Sequence, residues 1–196
     1  MAVAVTFHHR IGLDHLTAAI APEGAQAFHA LLESALGEVA QTALGPGMGD
    51  VEFELTLCGD EEMTHLNFDH MGERGPTDVL AFPLHEWTVD GRLSSLADED
   101  LFAAPGGLLL GDVVIDVDQA VRQAADGGWS AAQEMALLAV HGALHLLGHD
   151  HAEPDDEKLM REIEGRVLAV LERRHPEVGW RAGSLFDRPE ATPTPA

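Results

Sequence analysis

The amino-acid sequence predicts an α+β fold in which a small mixed β-sheet of about four strands is layered with helices. Three observations carry this. Stretches of strand-like alternation are interleaved with stretches of helical period. No internal repeat or linker divides the chain, so residues 1–174 are expected to form a single domain. The 196 residues, 45% of them hydrophobic, are enough for one compact unit with a substantial core.

Val3 to Phe7 alternates weakly and reads as a first strand. From Pro22 to Leu44 the apolar residues Phe28, Leu31, Leu32, Ala35, Leu36, Val39, Ala40 and Ala43 keep a helical spacing, ended by Gly45-Pro46-Gly47. Val51 to Leu57 alternates strictly, the mark of a strand buried on one face. Asp60 opens a short helix that stops near Gly72. Val79 to Phe82 is a brief apolar strand between Pro76 and Pro83; because proline cannot donate to a ladder, it is expected at a sheet edge. Residues 84–110 show no sustained period and read as a long acidic loop. Gly111 to Ile115 is a short buried strand, after which Asp116 caps a helix closed by Asp126-Gly127-Gly128. Ser130-Ala131-Ala132-Gln133 resembles a capping box and starts the next helix. Pro154, followed by Asp155, Asp156 and Glu157, opens the last one, whose apolar face is Met160, Ile163, Val167, Val170 and Leu171. Residues 175–196, with Pro189, Pro193 and Pro195, are expected to be a disordered tail.

Composition limits the functional classes. With 34 Asp and Glu against 11 Lys and Arg, the formal charge is −23. Such a chain repels polyanions at long range and offers no general invitation to nucleic acid or to anionic membranes. Seven of the 11 basic residues follow His151, from Lys158 to Arg188. The expectation therefore divides between a local positive face and ion pairs scattered over an acidic surface. A single cysteine, Cys58, leaves no internal disulfide and fits a reducing cytoplasm; within a strand it reads as a small buried hydrophobe. The start of the chain lacks the basic and apolar regions of a signal peptide, and no segment approaches the ~20 apolar residues of a membrane span. A soluble cytoplasmic protein is expected.

The chemistry is concentrated in His141-Gly142-Ala143-Leu144-His145-Leu146-Leu147-Gly148-His149-Asp150-His151. His141 and His145, four apart, point the same way on a helix. Gly148 can take the left-handed conformation that ends a helix and lets the chain double back, bringing His151 to face the other two. Three neutral imidazoles converging on one point, with a fourth position open, describe a catalytic zinc site rather than a closed structural one. Asp150 divides between accepting a hydrogen bond from a ligand imidazole and capping the next helix, and His149 reads as a spacer. The spacing matches the extended zinc-protease pattern except at position 142, where the general-base Glu of that pattern is replaced by Gly. That opposes peptide hydrolysis by the usual route.

Together with Pro76-Thr77-Asp78-Val79-Leu80-Ala81-Phe82-Pro83 and Gly111-Asp112-Val113-Val114-Ile115, this run resembles the YbeY family of bacterial rRNA maturation endoribonucleases, with elements in matching order. The resemblance implies a cytoplasmic, zinc-dependent endoribonuclease specific for single strands, acting at the 3′ end of small-subunit rRNA and in ribosome quality control. It implies single-stranded RNA, rRNA and the small ribosomal subunit as partners, one Zn2+ per chain, and neither a membrane nor DNA. By position, His141, His145 and His151 are the implied zinc ligands. Many members of the family carry an arginine implicated in activity where this chain has Met71; Arg74 lies three residues further on. The general acid or base is not identifiable; Asp78 and Asp150 are candidates if the fold brings them within hydrogen-bond reach. Two other readings stand beside this one: a different zinc hydrolase such as a peptidase, and a zinc-containing ribosome assembly factor without catalysis.

Overall fold

The computed structural model describes residues 1–11, 24–44, 49–87 and 107–181. Strands β1 (Val3–His9), β2 (Val51–Cys58), β3 (Val79–Pro83) and β4 (Leu108–Asp116) form one mixed sheet in the order β1-β2-β4-β3. β1 runs parallel to β2, and β2 to β4, while β3 pairs antiparallel with β4 at the edge. The helices are α1 (Ala25–Leu44), α2 (Asp60–Met71), α3 (Val117–Gly127), α4 (Ala131–Leu146) and α5 (Pro154–Arg174). Class and element order are those the sequence predicts. Among the described residues no helix is long and apolar enough to cross a membrane.

The core forms around α4, which packs against β3, β4, α1, α3 and α5 and is buried from Met135 to Val140. α1 turns Phe28, Leu31, Leu32, Ala35, Leu36, Val39 and Ala40 inward, the face its spacing marks. The alternation of β2 predicts one buried face, and Val51, Phe53, Leu55 and Leu57 do enter the main core. Thr56 and Cys58 are buried as well, because α2 lays Met63 over the opposite face, where it meets Cys58, Leu80 and Val114. At the edge, Asp78 C=O accepts the Asp116 N–H (2.9 Å) and Leu84 N–H donates to Leu110 C=O (3.1 Å). By alternation Pro83 then faces away from β4, so its missing N–H deprives the ladder of nothing.

Several boundaries differ from the sequence reading, among them the end of β1, which runs to His9 and not Phe7. β4 begins at Leu108 and not at Gly111, because a run of three leucines shows no period even though its burial alternates. At the other end of the expected loop 84–110, Leu84 and His85 are tied to β4, His85 Nε2 lying 2.7 Å from Leu109 C=O. Residues 88–106 of that loop lie outside the described residues. The expected tail is docked at its beginning: a single turn of 3-10 helix, Pro176–Val178, follows α5. Ser130 Oγ donates to Val178 C=O (3.1 Å), and the Gln133 side chain exchanges two bonds with the Arg181 backbone (2.8 and 2.9 Å). Ser130 thus caps α4, but Gln133 spends its amide on the chain 48 residues downstream, so the capping box is half-formed. Residues 182–196 lie outside the described residues.

Where β2 and β4 end, one oxygen each of Asp60, Asp116 and Asp118 lie within 4.8 Å of one another. Arg122 clamps both oxygens of Asp60 (2.6 and 2.9 Å) and holds its carboxyl below the usual range. Asp116 Oδ1 caps α3, accepting the N–H groups of Asp118 (2.9 Å) and Gln119 (3.2 Å). These contacts make the cluster a joint between α2 and α3. Burial, with Asp60 adding to it, pushes the Asp116 pKa up to about 7. Burial also lifts the Cys58 thiol to about 12, which leaves it an inert core group.

A carboxyl whose pKa is higher in the folded than in the unfolded chain favours folding at low pH. That contribution is complete below the unfolded value, near 4, and is lost as pH rises through about 7. Asp116→Asn keeps a capping oxygen and removes the titration. Measured by denaturant unfolding between pH 4 and pH 8, the variant should gain on the native chain by up to about 1.4 kcal/mol per pH unit. Parallel stability curves would contradict this account of the joint.

Candidate metal centre

α4 carries His141 and His145 on successive turns, the reversal after it carries His151, and α5 supplies a carboxylate. Gly148, at φ 80°, turns left-handed and closes α4: its N–H reaches His145 C=O and the His149 N–H reaches Leu144 C=O, both at 3.0 Å. The chain then doubles back, and Asp150 Oδ1 accepts the His151 N–H at 2.7 Å.

The three rings meet. Their centroids are 4.7 Å apart for His141 and His145, 5.3 Å for His145 and His151, and 5.4 Å for His141 and His151. One nitrogen of each lies within 4.8 Å of the other two. His141 Nε2 and His145 Nε2 are 3.2 Å apart. Two nitrogens bound tetrahedrally to one zinc at ordinary bond lengths stand about 3.3 Å apart. His141 Nδ1 donates to Glu164 Oε1 at 2.9 Å; a carboxylate can only accept, so the ring proton sits on Nδ1 and the Nε2 lone pair is left for a cation. Burial, reinforced by the neighbouring His141 and His151, pushes the His145 pKa down to about 4, so this ring is neutral at physiological pH, as a ligand must be. His141 and His145 are half-buried and His151 is exposed, so the cluster opens to solvent on the His151 side. The donor set fits a divalent ion of the zinc type.

Glu164 is the residue the sequence reading missed. It is 1% exposed, on the buried face of α5. The signal was present: Glu164 falls four residues after Met160 and three before Val167, inside a stripe otherwise made of hydrophobes. A carboxylate there needs a partner, and the His141 ring is that partner. Asp150 takes neither role expected of it, since its Oδ1 holds the neighbouring backbone N–H and the cap position of α5 falls to Glu153. Asp78 is tied by its Oδ1 to the Val79 N–H (2.9 Å) and by its Oδ2 to Gln123 Nε2 (3.0 Å). Neither carboxylate joins the three imidazoles within 4.8 Å. His149 is half-buried, and burial lowers its pKa; it too stays outside the group.

Three of the basic residues that follow the motif form ion pairs: Arg161 with Glu157, Arg166 with Glu162 (3.6 Å) and Arg174 with Glu38 (2.9 Å). Met71, in the last turn of α2, is exposed. Gly142 is where α4 rests on the sheet. A Cβ there would stand 2.7 Å from Val113 Cγ1 and 3.2 Å from Val79 Cγ2.

Fold and site define the class: an α+β protein with one mixed sheet, whose central helix and the turn after it present three imidazoles able to hold a divalent ion. Residues 12–172 match the family model described as endoribonuclease YbeY, and the chain belongs to that family. It is 41% identical over 145 residues to the endoribonuclease YbeY of Salinispora tropica, a match covering 74% of this chain and 83% of that one. Identity to the endoribonuclease YbeY of Frankia casuarinae is 45% over 118 residues, 60% of this chain and 56% of the relative. A Thermotoga maritima protein known from its solution structure shares the fold, with a TM-score of 0.54 at 22% identity, over 89% of this chain and 92% of that one.

The close seat of α4 makes position 142 intolerant of any side chain. Gly142→Ala should lose about 1–3 kcal/mol of stability through overpacking, and Gly142→Glu should fail to fold stably instead of installing a base. Equilibrium denaturation measures the first and soluble yield with circular dichroism the second. A folded, metal-loaded Gly142→Glu protein would contradict the packing described.

Proposed function

We propose that the protein is a zinc-dependent endoribonuclease that cuts single-stranded RNA, acting in the cytoplasm at the 3′ end of small-subunit rRNA and in ribosome quality control. His141, His145 and His151 hold one zinc ion. The observation that carries the reading is the convergence of these three imidazoles. Membership of the YbeY family supports RNA as the substrate.

The chain's own residues prepare the site in three ways. Glu164 fixes the His141 ring and its tautomer; carboxylate partners of this kind raise ligand basicity and are worth about 10–100-fold in metal affinity. The burial that keeps His145 neutral keeps its lone pair available. The exposure of His151 gives an incoming strand access to the cluster. A zinc ion held there supplies Lewis acidity toward a phosphoryl oxygen and activates water near neutral pH. RNA must reach it against a formal charge of −23, so affinity rests on local contacts and not on the field of the whole molecule. A peptidase reading is opposed by the missing space at Gly142, where a general-base Glu would have to stand.

Purified metal-loaded protein should cut single-stranded RNA, spare the duplex, and lose activity on chelation; sequencing of product ends reads the outcome. A native protein that binds zinc and never cuts RNA would favour an assembly factor instead. His141→Ala and His151→Ala should each lower zinc content well below one per chain, while His149→Ala should leave it nearly unchanged. Full occupancy in either of the first two, by elemental analysis, would contradict the ligand set. Glu164→Gln should retain zinc but bind it about 10–100-fold more weakly.

A further inference from the structure

We propose that Trp87 is a positioning residue for the histidine cluster: its indole fixes the turn that returns His151 to His141 and His145. The inference rests on the metal reading above and assigns a role to a side chain that is not itself a ligand.

The path of the chain sets the contact up. After β3, Leu84 and His85 are anchored to the start of β4, at Leu110 and Leu109. The segment then crosses to the far end of α4, where Trp87 Nε1–H donates to Leu146 C=O at 2.8 Å. Leu146 is the last helical residue, and its carbonyl is among those a helix leaves without an internal partner. Because Leu146 is buried, that carbonyl needs a donor from the protein itself.

The same side chain rests on the turn. A Cβ at Gly148 would stand 2.6 Å from Trp87 Cβ, 3.1 Å from Cγ and 3.2 Å from Cδ1. Gly148 is therefore required twice, once for its φ of 80° and once so that Trp87 can lie against its backbone. His151 follows three residues later and is the exposed member of the cluster, the one not carried by α4. Its direction depends on where this turn points. A turn held by an indole on one side and by the Asp150 side chain on the other presents the third nitrogen already in place. An unheld turn would lose freedom on binding and so weaken it.

The test is zinc affinity by competition with a chromophoric chelator, read beside the melting temperature of the metal-free protein, for Trp87→Ala and Trp87→Phe. Trp87→Ala removes the donor and the packing and should weaken zinc about tenfold or more, the size of other outer-shell effects. Trp87→Phe keeps most of the packing and should fall between that variant and the native chain. A merely structural role would lower the melting temperature of both variants and leave the affinity of the folded fraction alone. Native affinity in both folded variants overturns the inference while the metal reading stands. If Trp87→Ala does not fold, Trp87→Phe decides: native affinity there is contradictory, a several-fold loss supportive. If the native protein binds zinc no better than His151→Ala does, the metal reading falls and this inference falls with it.

Discussion

The arrangement depends on how closely α4 lies on the sheet. At Gly142 nothing but a hydrogen separates the helix from Val113 and Val79, and this contact fixes the rotation of the helix about its axis. With residue 142 turned to the strands, residues 141 and 145 are turned off them, one above the other on the flank that meets α5. There Glu164 receives the His141 ring. A helix seated higher by a methyl group would carry two of the three imidazoles out of register with the third. The glycine that removes the protease-type base is thus the residue that aims the histidines.

The cluster combines two kinds of support. On the buried side, a carboxylate and a desolvated ring fix tautomer and charge: His141 is held as an Nδ1–H donor and His145 is kept neutral. On the exposed side, His151 follows a turn shaped by Gly148, backed by the Trp87 indole and tied by the Asp150 side chain to the His151 N–H. Burial is therefore graded across the site, His141 and His145 being half-buried and His151 exposed.

Much of this was legible in the sequence, for reasons that can be named. The histidine spacing reads directly because helical geometry fixes the relation of residues four apart and a glycine announces the reversal. The edge position of β3 reads from its prolines, and α1 reads from its periodicity. What was not legible depends on partners distant in the chain. Trp87 bonds a carbonyl 59 residues away, and Gln133 a backbone 48 residues away; neither separation leaves a local pattern. Glu164 is an intermediate case: its place in an apolar stripe is visible in the sequence, but a count restricted to hydrophobes passes over it. The composition left the late basic residues divided between a local positive face and scattered ion pairs, and Arg161, Arg166 and Arg174 take glutamate partners.

The central claim, that three imidazoles surround one zinc ion and leave a position open, is tested most directly by X-ray absorption at the zinc edge on the loaded protein. The account predicts three nitrogen scatterers near 2.0–2.1 Å with the outer-shell pattern of imidazole, plus a lighter oxygen contribution exchangeable with added anions. A sulfur shell, four protein nitrogens, or a spectrum unchanged by His151→Ala would contradict it.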